Sequence, residues 1–152
     1  MLSLAGGEFA DTASIGDTSG TGQGHTLVDA KTAGQINSIK LHVVIDNAIP
    51  LQVALKLQLL DRAKRLLLVL PQTAGDSITI PAPVVLGGIV QSASHTERII
   101  QLAGTEVQQF NTASSVAYGL GLSTAGTDPV SFESTQVIRI RVWAEFSYQV
   151  NK

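Results

Sequence analysis

The sequence predicts an all-β protein, an antiparallel β-sandwich with one short helix near residues 105–111. Three observations predict this fold class. Apolar and polar residues alternate along several segments, Gly, Pro, Asp and Asn separate these segments, and 44% of the 152 residues are hydrophobic. Side chains along a strand point alternately to the two faces of a sheet, so this alternation gives each sheet one apolar face. Two such faces bury each other in a sandwich.

The predicted organisation is an N-terminal arm, residues 1–24, followed by a single β-sandwich domain, residues 25–152. The arm is rich in Gly, Ser and Thr, a composition typical of a loop. Its apolar stretch, residues 9–15, begins at Phe9 and ends at Ile15. This stretch can add a strand to a sheet of the same chain or of a neighbouring subunit.

The first two strands of the domain are predicted at residues 39–45 and 51–60. In the first, the odd-numbered residues are apolar and His42 lies on the other face. In the second, five apolar residues alternate with polar or small ones. Leu, Gln, Lys and Ala also favour helices, but the regular period of two favours a strand. Asn47 and Pro50 predict the turn between these strands.

Shorter strands are predicted in the middle of the chain. Residues 61–64 form a polar turn, and residues 65–70 return as the partner strand of a hairpin. Proline and glycine separate the strands that follow, because neither residue continues a regular strand well. These further strands are residues 77–80, a short one around Ile89 and Val90, and residues 98–102.

One helix is predicted to start near Thr105 and to end near Asn111. Thr105 and Gln108 fit a capping box, in which both side chains bond to backbone N–H groups of the first turn. Val107 and Phe110 lie three residues apart and share one face of the helix. That face predicts packing against the sandwich.

Two glycines interrupt the strand predicted after the helix, residues 116–123. Gly119 and Gly121 lie inside its apolar pattern. Glycine in a strand interior predicts a bulge or the close approach of another backbone.

The last strand, residues 137–150, has the longest alternation in the chain. Its even-numbered residues are mostly apolar and include Tyr148. Two arginines, Glu145 and Trp143 share the outward face. Trp143 and Tyr148 therefore lie on opposite faces and cannot form one sugar-stacking platform. We expect Trp143 to be covered by the arm or by a neighbouring subunit, or else to mark an interaction site.

The composition excludes several function classes. The formal charge is −2 and no basic cluster occurs, so no nucleic-acid partner is expected. The absence of cysteine excludes disulfides and thiolate chemistry. The longest uninterrupted apolar run, residues 66–70, is too short to cross a bilayer. Residues 1–16 lack the basic and apolar regions of a signal peptide, so we expect any exported form to be a mature or excised piece.

No catalytic residue, cofactor or metal is predicted. His25 follows a glycine-rich segment but lacks the flanking strand and helix of a phosphate-binding loop. His42 is expected on an exposed strand face, and His95 in a loop with Ser94 and Glu97. The Gly-x-Ser-x-Gly motif is absent, although folding could still assemble a Ser, a His and a carboxylate. A carboxylate pair for glycoside cleavage would have to come from a small set: Glu97, Glu106, Glu133 and Glu145.

Several motifs follow one another in a characteristic order. Asn47 and Pro50 lie in the first turn, and the long strand after it ends in Leu60-Asp61. The segments ITIPAPVV, GTEVQQFNTA and Leu-Ser-Thr-Ala-Gly then precede the long final strand. In this order residues 36–151 resemble a β-sandwich module of bacterial cell-surface lipoproteins and large secreted proteins, of the kind found in Bacteroidota and Chlorobiota.

The resemblance implies a surface-exposed β-sandwich without known catalysis. It departs in the first hairpin turn, where that family tends to have an Asp-x-Asn-Gly type sequence. The residues here are Asp61, Arg62, Ala63 and Lys64.

The function we expect is that of a non-enzymatic structural module that self-associates. Low charge does not oppose contact between copies, and the arm or an unpaired sheet edge can pair with a second chain. The expected partner is then a second copy of the chain, and the protein forms a homo-oligomer as a filament or layer subunit. Its expected location is outside the cell or on the outer cell surface. A virion structural protein fits the same pattern. The interaction candidates are Trp143, Phe9 and Ile15.

Two other functions stay open from the sequence. The alternative is a carbohydrate- or ligand-binding module of a larger surface protein, with Trp143 at a glycan. An enzyme is the third hypothesis, and it needs His42 or His95 beside a carboxylate in a pocket.

Overall fold

The computed structural model describes residues 7–14, 34–72, 77–124 and 131–149. These residues contain ten strands and one helix, α1 (Thr105–Thr112). The strands are β1 (Gly7–Ser14), β2 (Ile36–Asn47), β3 (Gln52–Leu60), β4 (Leu66–Leu70), β5 (Ile78–Ile80), β6 (Val84–Leu86), β7 (Ile89–Ser92), β8 (Ser94–Ala103), β9 (Ser115–Ser123) and β10 (Ile138–Tyr148).

Two antiparallel sheets form the sandwich, which confirms the predicted fold class. The larger sheet has the order β1-β9-β3-β4, and β5 pairs with another stretch of β3. The smaller sheet has the order β10-β2-β8, and β6 and β7 form a separate hairpin. The long strands β2 and β3 are each paired on both sides and occupy the middle of the two sheets, whereas β10, which has the longest alternation, lies at an edge.

The core lies between β2 and β3. Ile39, Val43 and Ile45 of β2 are fully buried, and so are Val53 and Leu55 of β3. These are the inward residues that the period of two predicts. Burying each such side chain contributes about 1.5–3 kcal/mol before the loss of chain entropy is counted.

Asn47 holds the corner where the chain passes from the smaller sheet to the larger one. Its side chain is fully buried. The amide Nδ2 donates to the carbonyl of Leu51 at 2.8 Å and to that of Pro81 at 3.2 Å. Its Oδ1 accepts the N–H of Ile49 at 3.0 Å. The predicted turn is confirmed, and these bonds explain why an amide occupies a buried position.

Asp61 organises the hairpin turn between β3 and β4. Its carboxylate accepts the backbone N–H groups of Ala63 at 2.8 Å and Arg65 at 2.9 Å, and Arg65 Nε at 2.7 Å. These bonds, that of the Arg65 backbone first, lower the pKa of Asp61 below its ordinary value. Lys64, in the same turn, has a φ of 62°. That left-handed conformation favours glycine.

The predicted capping box of α1 is wrong, although the helix is confirmed. Gly104, with a φ of 56°, is the N-cap, and no side chain caps the helix through a hydrogen bond. The predicted cap residue, Thr105, already lies inside the first turn. Glu106 Oε2 instead accepts the N–H of Ala103 at 3.0 Å. The apolar face is as predicted, since Val107 and its partner three residues on are buried.

The predicted bulge or close backbone approach at Gly119 and Gly121 is also wrong. β9 pairs with β1 and β3 without a register shift. A Cβ atom at Gly119 would meet nothing within 4 Å, and one at Gly121 would lie 3.6 Å from Ala54 Cβ, an ordinary contact. A regular strand therefore tolerates both glycines, and no crowding demands them.

The arm contributes a strand to the larger sheet of its own chain. β1 runs antiparallel to β9, with Phe9 opposite Leu120. The strand expected from residue 9 thus begins at Gly7 and ends at Ser14. Ile15 and His25 lie outside the described residues.

β8 is longer than predicted, because all ten of its residues pair with β2. It begins at Ser94 opposite Asn47 and ends at Ala103 opposite Ser38. His95 therefore lies on a strand, and the loop predicted for it is wrong.

Candidate functional site

The outer face of the smaller sheet carries the aromatic and charged side chains of the candidate site. Strand pairing places its residues in cross-strand rows, because residues directly opposite each other share a face. The rows, in the order β10, β2 and β8, are Arg139–Asp46–His95, Arg141–Val44–Glu97, Trp143–His42–Ile99 and Glu145–Lys40–Gln101.

Trp143 and His42 form the aromatic centre of this face. They are directly opposite in the β10–β2 register, and their rings stack with centroids 4.9 Å apart and planes 6° from parallel. The stack leaves the His42 side chain 12% exposed and Trp143 45% exposed. His42 was expected on the surface, and it does face outward, but the indole covers it. Trp143 itself remains open to solvent on the expected face.

Ile99 extends the apolar centre onto β8. It lies opposite His42 and is 57% exposed. Val44, one row away, is buried at 5% exposure although it points outward. The larger outward side chains around Val44 therefore shield it, and the centre of the face is a compact apolar patch with charged rows beside it.

Glu145 lies next to the aromatic stack. Its Oε1 is 3.2 Å from His42 Nε2, but the angles are not those of a hydrogen bond. Both ring nitrogens of His42 are enclosed and have no hydrogen-bond partner within the described residues. The Glu145 side chain is 59% exposed, so it can also reach a second molecule.

Asp46 joins all three strands of the sheet at one end of the face. Its Oδ1 is 2.7 Å from His95 Nδ1, and Arg141 Nη2 donates to its Oδ2 at 3.2 Å. The hydrogen bond from His95, followed by the charges of His95 and Arg141, lowers the pKa of the Asp46 carboxyl. An ionised carboxylate here ties β8 and β10 to β2 through side chains.

Both histidines that are described lie beside carboxylates on an open sheet face. The groove of about 670 Å³ between β8 and the β4–β5 region is elsewhere. Its walls are Leu70, Ile78, Ile100, Leu102, Arg98 and Glu106, together with neighbouring residues, and neither His42 nor His95 lines it. The sequence-derived enzyme hypothesis requires a histidine and a carboxylate in one pocket, and this groove does not combine them.

β10 forms a free edge of the smaller sheet. It pairs with β2 on one side, and no described strand pairs with its other side. The strand is 11 residues long, and it exposes Val142 at 39% and Tyr148 at 50% besides Trp143. A long edge strand with exposed apolar residues presents unpaired N–H and C=O groups to another chain.

The hairpin of β6 and β7 exposes a second apolar group that the sequence reading missed. Val84, Leu86 and Ile89 are 67%, 70% and 55% exposed. Gly87 and Gly88 form its turn with φ of 59° and 82°. Two positive-φ residues between apolar runs are a hairpin signal, so the Gly-Gly pair could have predicted it.

Comparisons with protein-family models and with curated proteins gave no match. No helix in the described part of the chain is long and apolar enough to cross a membrane. Among the described residues, no group of three or more His, Asp or Glu side chains could hold a metal ion.

The fold places Trp143 and Phe9, two of the interaction candidates predicted from the sequence, in different sheets. Trp143 lies at the centre of the outer face of the smaller sheet. Phe9 lies on β1, at the edge of the larger sheet. The two therefore belong to different sheets and do not form one surface. The pairing of β10 with β2 brings Asp46 to the face of Trp143, and the pairing of β2 with β8 brings Ile99 and His95 there. No single-strand pattern reveals these pairings.

Proposed function

We propose that this chain is a non-enzymatic structural module that self-associates through the free edge of β10. The observation that carries the proposal is the exposed 11-residue edge with Val142, Trp143 and Tyr148. Pairing with a second copy would satisfy its backbone groups and bury these side chains. The net charge is only −2, so the electrostatic repulsion between two copies is weak.

A filament or layer is the larger assembly that we propose. Among the described strands, β8 forms the other edge of the smaller sheet, and it is ten residues long. A molecule with two edges can pair at both, and open assemblies follow when the contacts do not close on themselves.

An extracellular or outer-surface location is part of the same proposal. It rests on the resemblance of residues 36–151 to modules of surface lipoproteins and secreted proteins. Labelling intact cells with an antibody against the chain tests it, and labelling that requires cell lysis would contradict it.

Proline at the free edge is the direct test of self-association. Val137 O accepts the N–H of Ala48, so by alternation the even-numbered residues of β10 direct their N–H groups away from β2. Val142→Pro therefore removes an outward N–H and leaves the pairing with β2 intact. We expect the wild-type chain to associate in sedimentation velocity, and Val142→Pro to lose the contact through β10 and form smaller assemblies, with an unchanged circular dichroism spectrum.

Ile99→Pro is the matched control on β8. By the same alternation the N–H of Ile99 points away from β2, so the change is equivalent but on the opposite edge. We expect Ile99→Pro to keep the β10 contact. A monomeric wild type, or a Val142→Pro variant that associates as the wild type does, contradicts the proposal.

Glycan binding is the second candidate function, and the open indole favours it. Trp143 is 45% exposed on a sheet face, with Glu145 and Arg141 beside it. An exposed aromatic face with polar neighbours can stack on a sugar ring. Binding to a glycan array that Trp143→Ala abolishes and Tyr148→Ala keeps would support this function, and no binding by the wild type would remove it.

A further inference from the structure

We propose that two copies pair antiparallel along β10, with Val142 of one copy opposite Val142 of the other. This rests on the proposed self-association and specifies its geometry. The contact is isologous, because the same strand serves both copies about a two-fold axis. It would join the two smaller sheets into one six-stranded sheet of order β8-β2-β10-β10-β2-β8.

The backbone permits this register. Two residues that lie opposite each other in an antiparallel pair exchange either both hydrogen bonds or none. Their backbone groups must therefore both point toward the partner strand or both point away from it. Val142 and the other even-numbered residues of β10 direct theirs to the free edge. A two-fold axis at Val142 therefore aligns outward groups with outward groups. Registers that oppose an even-numbered residue to an odd-numbered one are excluded.

The charges are complementary in this register. Arg139 lies opposite Glu145 of the second copy, and the two-fold axis repeats the pair. Arg139 is exposed and forms no ion pair within the described residues. The Glu145 side chain is 59% exposed. Opposite charges directly across an antiparallel pair stabilise it, and like charges destabilise it.

The remaining side chains also match. Arg141 lies directly opposite Trp143 of the second copy, so its bond to Asp46 can be kept. On the inner face Ile138 meets Phe146 and Ile140 meets Ala144, and all four of these already pack against the core of their own molecule. The apolar cores of the two copies would thus become continuous at Val142, which is 39% exposed in the single chain.

A neighbouring register, with Trp143 opposite Trp143, satisfies the same backbone rule but fits the charges less well. It pairs Glu145 with Arg141, and Arg141 is already bound to Asp46. It also leaves Arg139 opposite Ser147. The register centred on Val142 is favoured because it gives the uncommitted arginine a partner.

Charge reversal distinguishes this geometry from other contacts. Arg139→Glu opposes a glutamate to Glu145, and Glu145→Arg opposes an arginine to Arg139, twice in each dimer. We expect each variant alone to dimerise about tenfold more weakly than the wild type in sedimentation equilibrium.

A mixture of the two variants should recover wild-type affinity as a heterodimer. At one pair of the heterodimer, the glutamate introduced in one variant faces the arginine introduced in the other. At the second pair, the unchanged Arg139 faces the unchanged Glu145. Both pairs are then attractive again, with the charges of the first pair exchanged.

The mixing experiment distinguishes a weakened contact between copies from a loss of stability within one chain. Within a chain Arg139 is opposite Asp46 and Glu145 is opposite Lys40, so each reversal also changes local repulsion and thermal stability. Mixing cannot repair an effect inside one chain. Arg98→Glu, the same charge change on β8, is the control that should leave dimerisation unchanged.

The outcomes distinguish a failure of the proposed register from a failure of the proposed self-association. If the wild type associates but neither reversal weakens it, or the mixture fails to restore it, the register centred on Val142 is wrong and self-association stands. If the wild type is monomeric, both proposals fail.

Discussion

Asn47 is the residue on which the junction of the two sheets depends. Its buried amide bonds to Ile49, to Leu51 and to Pro81, so it connects the β2–β3 corner with the segment after β5. Ser94 Oγ also donates to the Pro81 carbonyl, at 2.6 Å. A small polar network therefore fixes the corner, in a chain whose other interior contacts are mostly apolar.

Asn47→Ala should lower the free energy of unfolding by about 2–4 kcal/mol, because it leaves buried backbone groups without partners. Urea unfolding measures this. Asn47→Asp is the matched variant, since it keeps the acceptor for Ile49 and loses the donor to Leu51 and Pro81. It should also destabilise. An alanine variant as stable as the wild type would show that the amide does not hold the corner.

Because of Asp46, the stability of the chain should decrease at acidic pH. Its pKa is lower in the folded protein, so its contribution is present above the ordinary carboxyl value and is lost as the pH falls through the lowered folded value. We expect unfolding free energy to fall below roughly pH 4, and to fall less steeply in Asp46→Asn. Glu97→Gln, on the same face, is the control. Equal pH slopes for wild type and Asp46→Asn would contradict the expectation.

Among the strands, those that pack alternate residues against the core are the easiest to predict, whether they lie inside a sheet or at its edge. β2 and β3 are paired on both sides and bury alternate residues such as Val43 and Leu55, so the sequence shows a regular period of two. β8 was only half predicted. Its outward residues are exposed and its inward face contains Arg98, which breaks the pattern although β2 pairs with it throughout. Strand pairing, which the sequence does not show, decides such segments.

The glycines of β9 should tolerate substitution, in contrast with those in turns. Gly119 lies outside the positive-φ region and has open space at its Cβ position, whereas Gly87 has a φ of 59°. We expect Gly119→Ala to stabilise the protein by up to about 1 kcal/mol, because alanine loses less chain entropy on folding. Gly87→Ala should destabilise it. Thermal unfolding measures both, and a destabilising Gly119→Ala would indicate that the strand needs glycine after all.

For the whole molecule, the sequence predicted the sandwich and the outward position of Trp143, but not the surface around it. The last strand is regular enough to assign Trp143 to its outer face. The neighbours that give this face its character, His42, Ile99 and Asp46, come from two other strands. Their alignment follows from register, and register follows from how the turns and edges close the sheet. Single-strand patterns contain no such information.

The N-terminal arm and the β10 edge lie in different sheets, and this separation gives the last prediction. β1 pairs with β9 at the edge of the larger sheet, whereas β10 borders the smaller sheet. Removing residues 1–24 should therefore lower stability by exposing β9, while association through β10 persists. Sedimentation velocity with urea unfolding measures both effects. A truncated chain that is stably folded but monomeric would mean that the arm, and not β10, joins the copies.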